Sequence, residues 1–154
     1  MFKIYIRPRI EYCTEIWNPC IKILSNKIEK VQRYFTRVAL NKCGIDYKPY
    51  IERQKIFNLQ PLYLRRKILD LTTMFKICRG HAHTSTHRLI NFMDRPSRKH
   101  PFQIRIKRRN NKTKNTFINR NATEWNNLAE DLVLCNDQFS FKRLLTAKLE
   151  KDFL

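Results

Sequence analysis

Apolar positions recur at helical spacing along much of the chain. From Ser25 onward, Ile28, Val31, Phe35 and Val38 follow one another at steps of three and four, while Lys27, Lys30, Arg33 and Arg37 lie largely elsewhere on the cylinder. The spacing predicts an amphipathic helix capped by Ser25 or Asn26 and closed near Gly44. Pro49 opens a shorter helical segment through about Phe57, since proline suits a first turn whose amides have no helical partner. The stretch "PLYLRRKILDLTTMFKICR" that follows carries the clearest pattern: Pro61 in the first turn, a stripe of Leu64, Ile68, Leu71, Phe75 and Cys78, and Gly80 as terminator.

The period then changes. Residues 81 to 101 lose periodicity and gather Ser, Thr, His and Pro, which reads as a linker. Phe102, Ile104 and Ile106 alternate with Gln103, Arg105 and Lys107, as in a half-buried strand, and "RRNNKTKN" supplies turn residues before a short partner strand around Thr116 to Ile118. Phe117, Ala122, Trp125 and Leu128 mark another helix. A final amphipathic helix follows, carrying Phe141, Leu144, Leu145, Ala147 and Leu149. The expected fold is mainly α: a bundle of amphipathic helices with a small basic β-hairpin between the last helices. Its organisation would be residues 1 to 80, a linker at 81 to 101, and residues 102 to 154. Trp17, Phe35, Phe75 and Trp125 are expected in the core.

Composition sharpens this picture. The 154 residues are 42% hydrophobic and 12% aromatic, enough burial to support folding into one domain or two small units. Charge narrows the partners, because 32 Lys and Arg against 13 Asp and Glu give a net +19. A polyanion would relieve that self-repulsion by counterion release, which puts nucleic acid ahead of acidic membranes or acidic proteins. The five cysteines are spread out with no C-x-x-C pair, as expected of reduced thiols. No run of about 18 apolar residues exists for a bilayer span, and no secretory leader pattern opens the chain. A soluble protein inside the cell, nuclear or cytoplasmic, is the expectation.

The opening segment "FKIYIRPRIEYCTEIWNPC" crowds apolar residues where a chain is usually loosest. Together with "IEKVQRYFTR", "RQKIFNLQPLYLRRKILDLTTMFKI", and "NTFINRNATEWNNL" followed by "FKRLL", it resembles the C-terminal region of reverse transcriptases from non-long-terminal-repeat retrotransposons. The likeness rests on Arg7, Pro8, Glu11, Tyr12 and Trp17; on Ile28, Glu29, Val31, Gln32, Arg33, Phe35, Thr36 and Arg37; and on Leu59, Leu62, Arg65 and Arg66. The blocks stand in the family's order and cover nearly the whole chain. One departure is Ala129, where the family often has proline after W-N-x-L. The resemblance implies that Phe2 to Trp17 is a helix following the polymerase palm, that residues 1 to 80 are thumb-like, and that the chain is a fragment lacking the upstream polymerase region.

Candidate chemistry is sparse. Two-metal polymerisation needs converging carboxylates, and a palm presents an adjacent Asp pair; here Asp46, Asp70, Asp94, Asp131, Asp137 and Asp152 are all separated. No polymerase activity is expected from this chain alone, and Mg²⁺ would belong to the absent palm. Cys78, His81, His83 and His87 are ligand types within ten residues, but their spacing lacks a paired-knuckle layout, and Cys78 also continues an apolar stripe. A core thiol followed by loop histidines is the plainer reading.

Between Arg95 and Arg120 stand ten Lys or Arg and no acid. Arg105, Lys107, Arg108, Arg109, Lys112, Lys114 and Arg120 are therefore candidate phosphate contacts, with Phe102 and Phe117 as stacking surfaces or core residues. By the resemblance, Arg33, Arg37, Arg65 and Arg66 would follow the template-primer backbone, so RNA and DNA are the expected partners. The alternatives are an independent basic RNA- or DNA-binding module of ribosome-associated type, and a basic adaptor for acidic proteins or membranes.

Overall fold

A computed structural model describes residues 1–82, 90–94, 99–106 and 115–151. The protein is mainly helical, as the periodicity predicts. It divides into two compact units, Met1–Lys67 and Ile68–Leu154.

In the first unit a π-helical turn, Phe2–Ile6, runs into α1, Arg7–Glu11, with Pro8 in its first turn. The expected continuous helix to Trp17 is broken. Tyr12 is extended and Cys13 adopts φ +52°, a left-handed conformation uncommon for a residue with a Cβ, before α2, Thr14–Trp17. The Trp17 indole N–H donates to the Tyr12 carbonyl at 2.6 Å, closing the break. This holds Trp17 outside the core, 39% exposed, where helical spacing had placed it inside.

The long helix α3, Lys22–Lys42, starts three residues before the expected cap. Ser25 is inside it and accepts a hydrogen bond from Arg66. The buried face also differs from the predicted stripe. Val31 is exposed, and the buried positions are Glu29, Gln32, Thr36 and Leu40, still at helical spacing but displaced around the cylinder. A polar face can be buried only if its groups are paired. Here the Tyr50 hydroxyl and the Leu62 and Tyr63 backbone amides donate to the Glu29 carboxylate. Phe35, half-buried, stacks on Phe2 at 4.7 Å between centroids.

α3 ends in a Schellman motif: Ile45 N–H donates to Leu40 C=O, Gly44 N–H to Asn41 C=O, and Gly44 takes φ +66°. α4, Tyr50–Ile56, follows Pro49 and closes the same way through Asn58 at φ +49°. α5, Leu62–Cys78, ends at Gly80, φ +71°, with His81 N–H donating to Lys76 C=O. The division between units runs through α5, ahead of the 81–101 stretch.

The second unit holds the predicted α5 stripe: Ile68, Leu71, Phe75 and Cys78 are all buried. It adds α6, Phe117–Asn126, α7, Glu130–Val133, and α8, Gln138–Lys151. The Asp137 carboxylate caps α8 by accepting the Phe139 and Ser140 amides at 2.8 and 2.9 Å. Those bonds, the Ser140 side chain's first, hold its pKa below the usual aspartate value. Phe75 stacks on Phe141 at 4.5 Å, Trp125 lies 6.2 Å from Phe141, and Leu145 and Val133 are buried.

The predicted β-hairpin takes another form. Phe117 and Ile118 are helical, and the extended segment around Ile104 makes an isolated antiparallel bridge with Phe92. Met93 N–H donates to Gln103 C=O and Arg105 N–H to Asn91 C=O, so Ile104's own backbone groups point away from that partner. The Asn126 side chain satisfies both: Ile104 N–H donates to Oδ1 at 2.8 Å and Nδ2 donates to Ile104 C=O at 2.9 Å. One amide side chain thus stands where a second strand was expected. The expected hairpin turn, residues 107–114, lies outside the described residues.

Candidate nucleic-acid interface

The quoted sequence blocks meet through their polar residues. Nε and Nη2 of Arg65 both donate to the Glu11 carboxylate, the Nη2 bond at 2.9 Å, a bidentate pairing that favours a fixed geometry. Gln32 Nε2 donates to the Gln60 carbonyl and the Tyr50 hydroxyl, both at 3.0 Å, and Tyr50 in turn donates to Glu29 at 2.5 Å. Burial and the Glu29 carboxylate push the Tyr50 phenol well above its ordinary pKa, so it remains a donor. In the second unit, Trp125 Nε1 donates to Phe102 C=O at 2.9 Å and His100 Nε2 to Trp125 C=O at 3.0 Å.

This packing sorts the candidate phosphate contacts. Arg66 is 1% exposed, donating to Asn18 and Ser25, so its guanidinium is turned inward; a buried charge must be matched by partners within the fold. Arg65 is engaged by Glu11. Arg120 lies 3.3 Å from buried Asp70 and over the Phe117 ring at 5.3 Å. Arg105 is exposed and pairs with exposed Asp94, a contact that solvent weakens. Lys107, Arg108, Arg109, Lys112 and Lys114 lie outside the described residues. Phe102 and Phe117 are half-buried.

Arg33 and Arg37 are exposed on α3, and with Lys22, Lys27, Lys30 and Lys42 they form its solvent side. The sole acidic residue of α3 is Glu29, and it faces inward. The exposed surface of a 21-residue helix therefore carries one sign of charge.

Periodicity missed Arg53. It is buried, 5.7 Å from the Tyr50 centroid and 6.0 Å from that of Tyr47. The available signal was Tyr47, Tyr50 and Arg53 at steps of three in "DYKPYIER".

Cys78 is a core thiol whose burial pushes its pKa up to about 12, which opposes the thiolate a metal requires. His81 packs near Phe75, while His83 and His87 lie outside the described residues. Among the described residues no helix is long and apolar enough to cross a membrane.

No protein family matches the chain, and no solved structure matches it. An uncharacterized protein of Caenorhabditis elegans is 24% identical over 83 residues, covering 54% of this chain and 42% of that protein. The chain thus spans less than half the length of that curated relative.

Proposed function

We propose that this chain is a non-catalytic, nucleic-acid-holding portion of a retroelement RNA-directed DNA polymerase, gripping template and primer through backbone phosphates. The observation that carries this reading is the one-sign surface of α3: Glu29 is turned inward and Lys27, Lys30, Arg33 and Arg37 outward. Such a face binds sugar-phosphate strands without reading bases, which suits a polymerase that must translocate.

Two further features support it. The residues that carry the resemblance, Glu11, Glu29, Gln32 and Arg65, bind one another or neighbouring positions of the quoted blocks, as parts of one device would. Ile4, Tyr5, Tyr12, Ile16 and Ile23 are exposed in the first unit, an apolar surface of the kind a larger polymerase would cover.

Filter binding to a primer-template across about 50 to 200 mM salt tests the reading. Affinity is expected to fall at least about tenfold, with log K declining by about 0.7–0.9 per phosphate contacted for each tenfold rise in salt. A flat salt response would falsify it. Replacing Arg105, Lys107, Arg108 and Arg109 together with Gln is expected to weaken binding more than replacing Arg143, Lys148 and Lys151; equal effects would remove any special role for that segment.

A further inference from the structure

The first unit holds a buried cation with no counter-ion among the described residues. Arg53 is 6% exposed, and its Nε and Nη1 have no hydrogen-bond partner among the described residues. A guanidinium presents five N–H donors in a rigid fork, and burying it unpaired is unfavourable unless an anion completes the site. The Glu29 carboxylate, which accepts from the hydroxyl of the same Tyr50, is already occupied by Tyr50, Leu62 and Tyr63. Stacking on Tyr47 and Tyr50 offsets the desolvation only in part.

A second cation converges on the same ring. The Arg33 guanidinium carbon lies 4.9 Å from the Tyr50 centroid, and that ring is pinned by its hydroxyl between Gln32 and Glu29. Two guanidiniums beside one tyrosine make that part of the surface attractive to an anion, which would interact favourably with both. Tyr47 is 76% exposed, so Arg53 covers no more than one of its faces. One turn further along α3, Arg37 lies over Tyr34 at 5.6 Å, repeating the pairing of cation and exposed ring.

We infer that Arg33, Arg53 and Tyr47 form a discrete site for a nucleotide of an unpaired strand: the two guanidiniums take the phosphate and the open face of Tyr47 takes an adjacent base. This rests on the nucleic-acid reading above and deepens it. An unpaired strand is required because base faces are covered within a duplex and available outside it.

The test uses the full chain and fluorescence anisotropy with two probes, a single-stranded oligothymidylate of about twelve nucleotides, within the usual site sizes, and a blunt duplex of the same length. Tyr47→Ala is expected to weaken single-strand binding roughly 5- to 100-fold and to leave duplex binding unchanged. Arg33→Gln is expected to lower the single-strand salt slope by about 0.7. Arg53→Lys keeps the charge but loses the fork, and should weaken the single strand in the same way; circular dichroism establishes that it folds, and the two exposed positions carry the test if it does not. If the wild type binds the single strand but Tyr47→Ala and Arg33→Gln bind it equally well with an unchanged slope, the site is wrong while the broader reading stands. If the wild type binds neither probe at low salt, both fall.

Discussion

In the unit Ile68–Leu154, large apolar side chains meet one another: Phe75 stacks on Phe141, Trp125 lies tilted against Phe141, and Leu71, Met74, Val133 and Leu145 are buried in the same unit. In the unit Met1–Lys67, the buried face of the longest helix is polar until Leu40, while Ile4, Tyr5, Tyr12, Ile16, Ile23 and Tyr34 are exposed. The second unit is organised by the exclusion of water from hydrocarbon, which is roughly additive in area and tolerant of small displacements. The first is organised by Glu29, Gln32 and Arg65, whose directional bonds fix geometry because breaking one inside a fold is costly. A unit built this way specifies geometry and leaves part of its apolar surface and the α3 cations Lys27, Lys30, Arg33 and Arg37 facing out while Arg53 and Arg66 are buried, and the exposed cations are what the proposed binding role uses.

The contrast can be broken by substitution in either unit. The largest effect is expected from Trp125→Ala, which empties the centre of the second unit and leaves the Phe102 carbonyl without its indole donor; a loss of about 3–5 kcal/mol in denaturant unfolding is expected. A loss below about 1 kcal/mol would mean that this core is not what holds the unit. Glu29→Gln comes next, at about 1.5–3 kcal/mol, since the amide replaces one carboxylate oxygen with a donor facing the Leu62 or Tyr63 N–H or the Tyr50 hydroxyl. Hydrogen exchange at the Leu62 and Tyr63 amides checks it, and unchanged protection there would erase the distinction between the units.

The smallest effect is one of pH. His100 is buried, its Nδ1 has no partner among the described residues, and its pKa is lowered, first by burial and against the opposing pull of its bond to the Trp125 carbonyl. The unfolded chain therefore binds a proton more readily than the folded one, so this contribution to stability is complete above the unfolded value of about 6.5 and is lost as pH falls toward the lower folded value. The denaturation midpoint should drop between about pH 7 and pH 5, and His100→Phe should flatten that part of the profile. An equally steep profile in the variant would assign the dependence to other groups.

Some of this was legible from local pattern and some was not. The stripe on α5 and its Gly80 terminator follow from spacing and from glycine's access to positive φ, and the structure keeps both. Ile28, Val31, Phe35 and Val38 gave an equally regular stripe, yet the helix turns Glu29, Gln32 and Thr36 inward, because Glu29's partners are amides 33 and 34 residues away. Ile104 alternates like a strand residue, but Asn126, 22 residues on, takes the place of the expected second strand. The exposed cations of α3 were readable as a helix face. The inward turn of Arg66 and the gathering of Arg33 and Arg53 on Tyr50 were not, since no local period encodes a meeting between elements.

By itself, the sequence determined that the chain is mainly helical, where α3, α4 and α5 stop, and that it carries a strong excess of positive charge; each of these is settled by residues within a few positions of one another or by a simple count. Tertiary structure alone decided which face of α3 is buried, that Arg66 turns inward, and that Arg53 is enclosed without a counter-ion among the described residues. Those outcomes depend on hydrogen bonds and desolvation between distant segments, and their energies exist only once the segments have met.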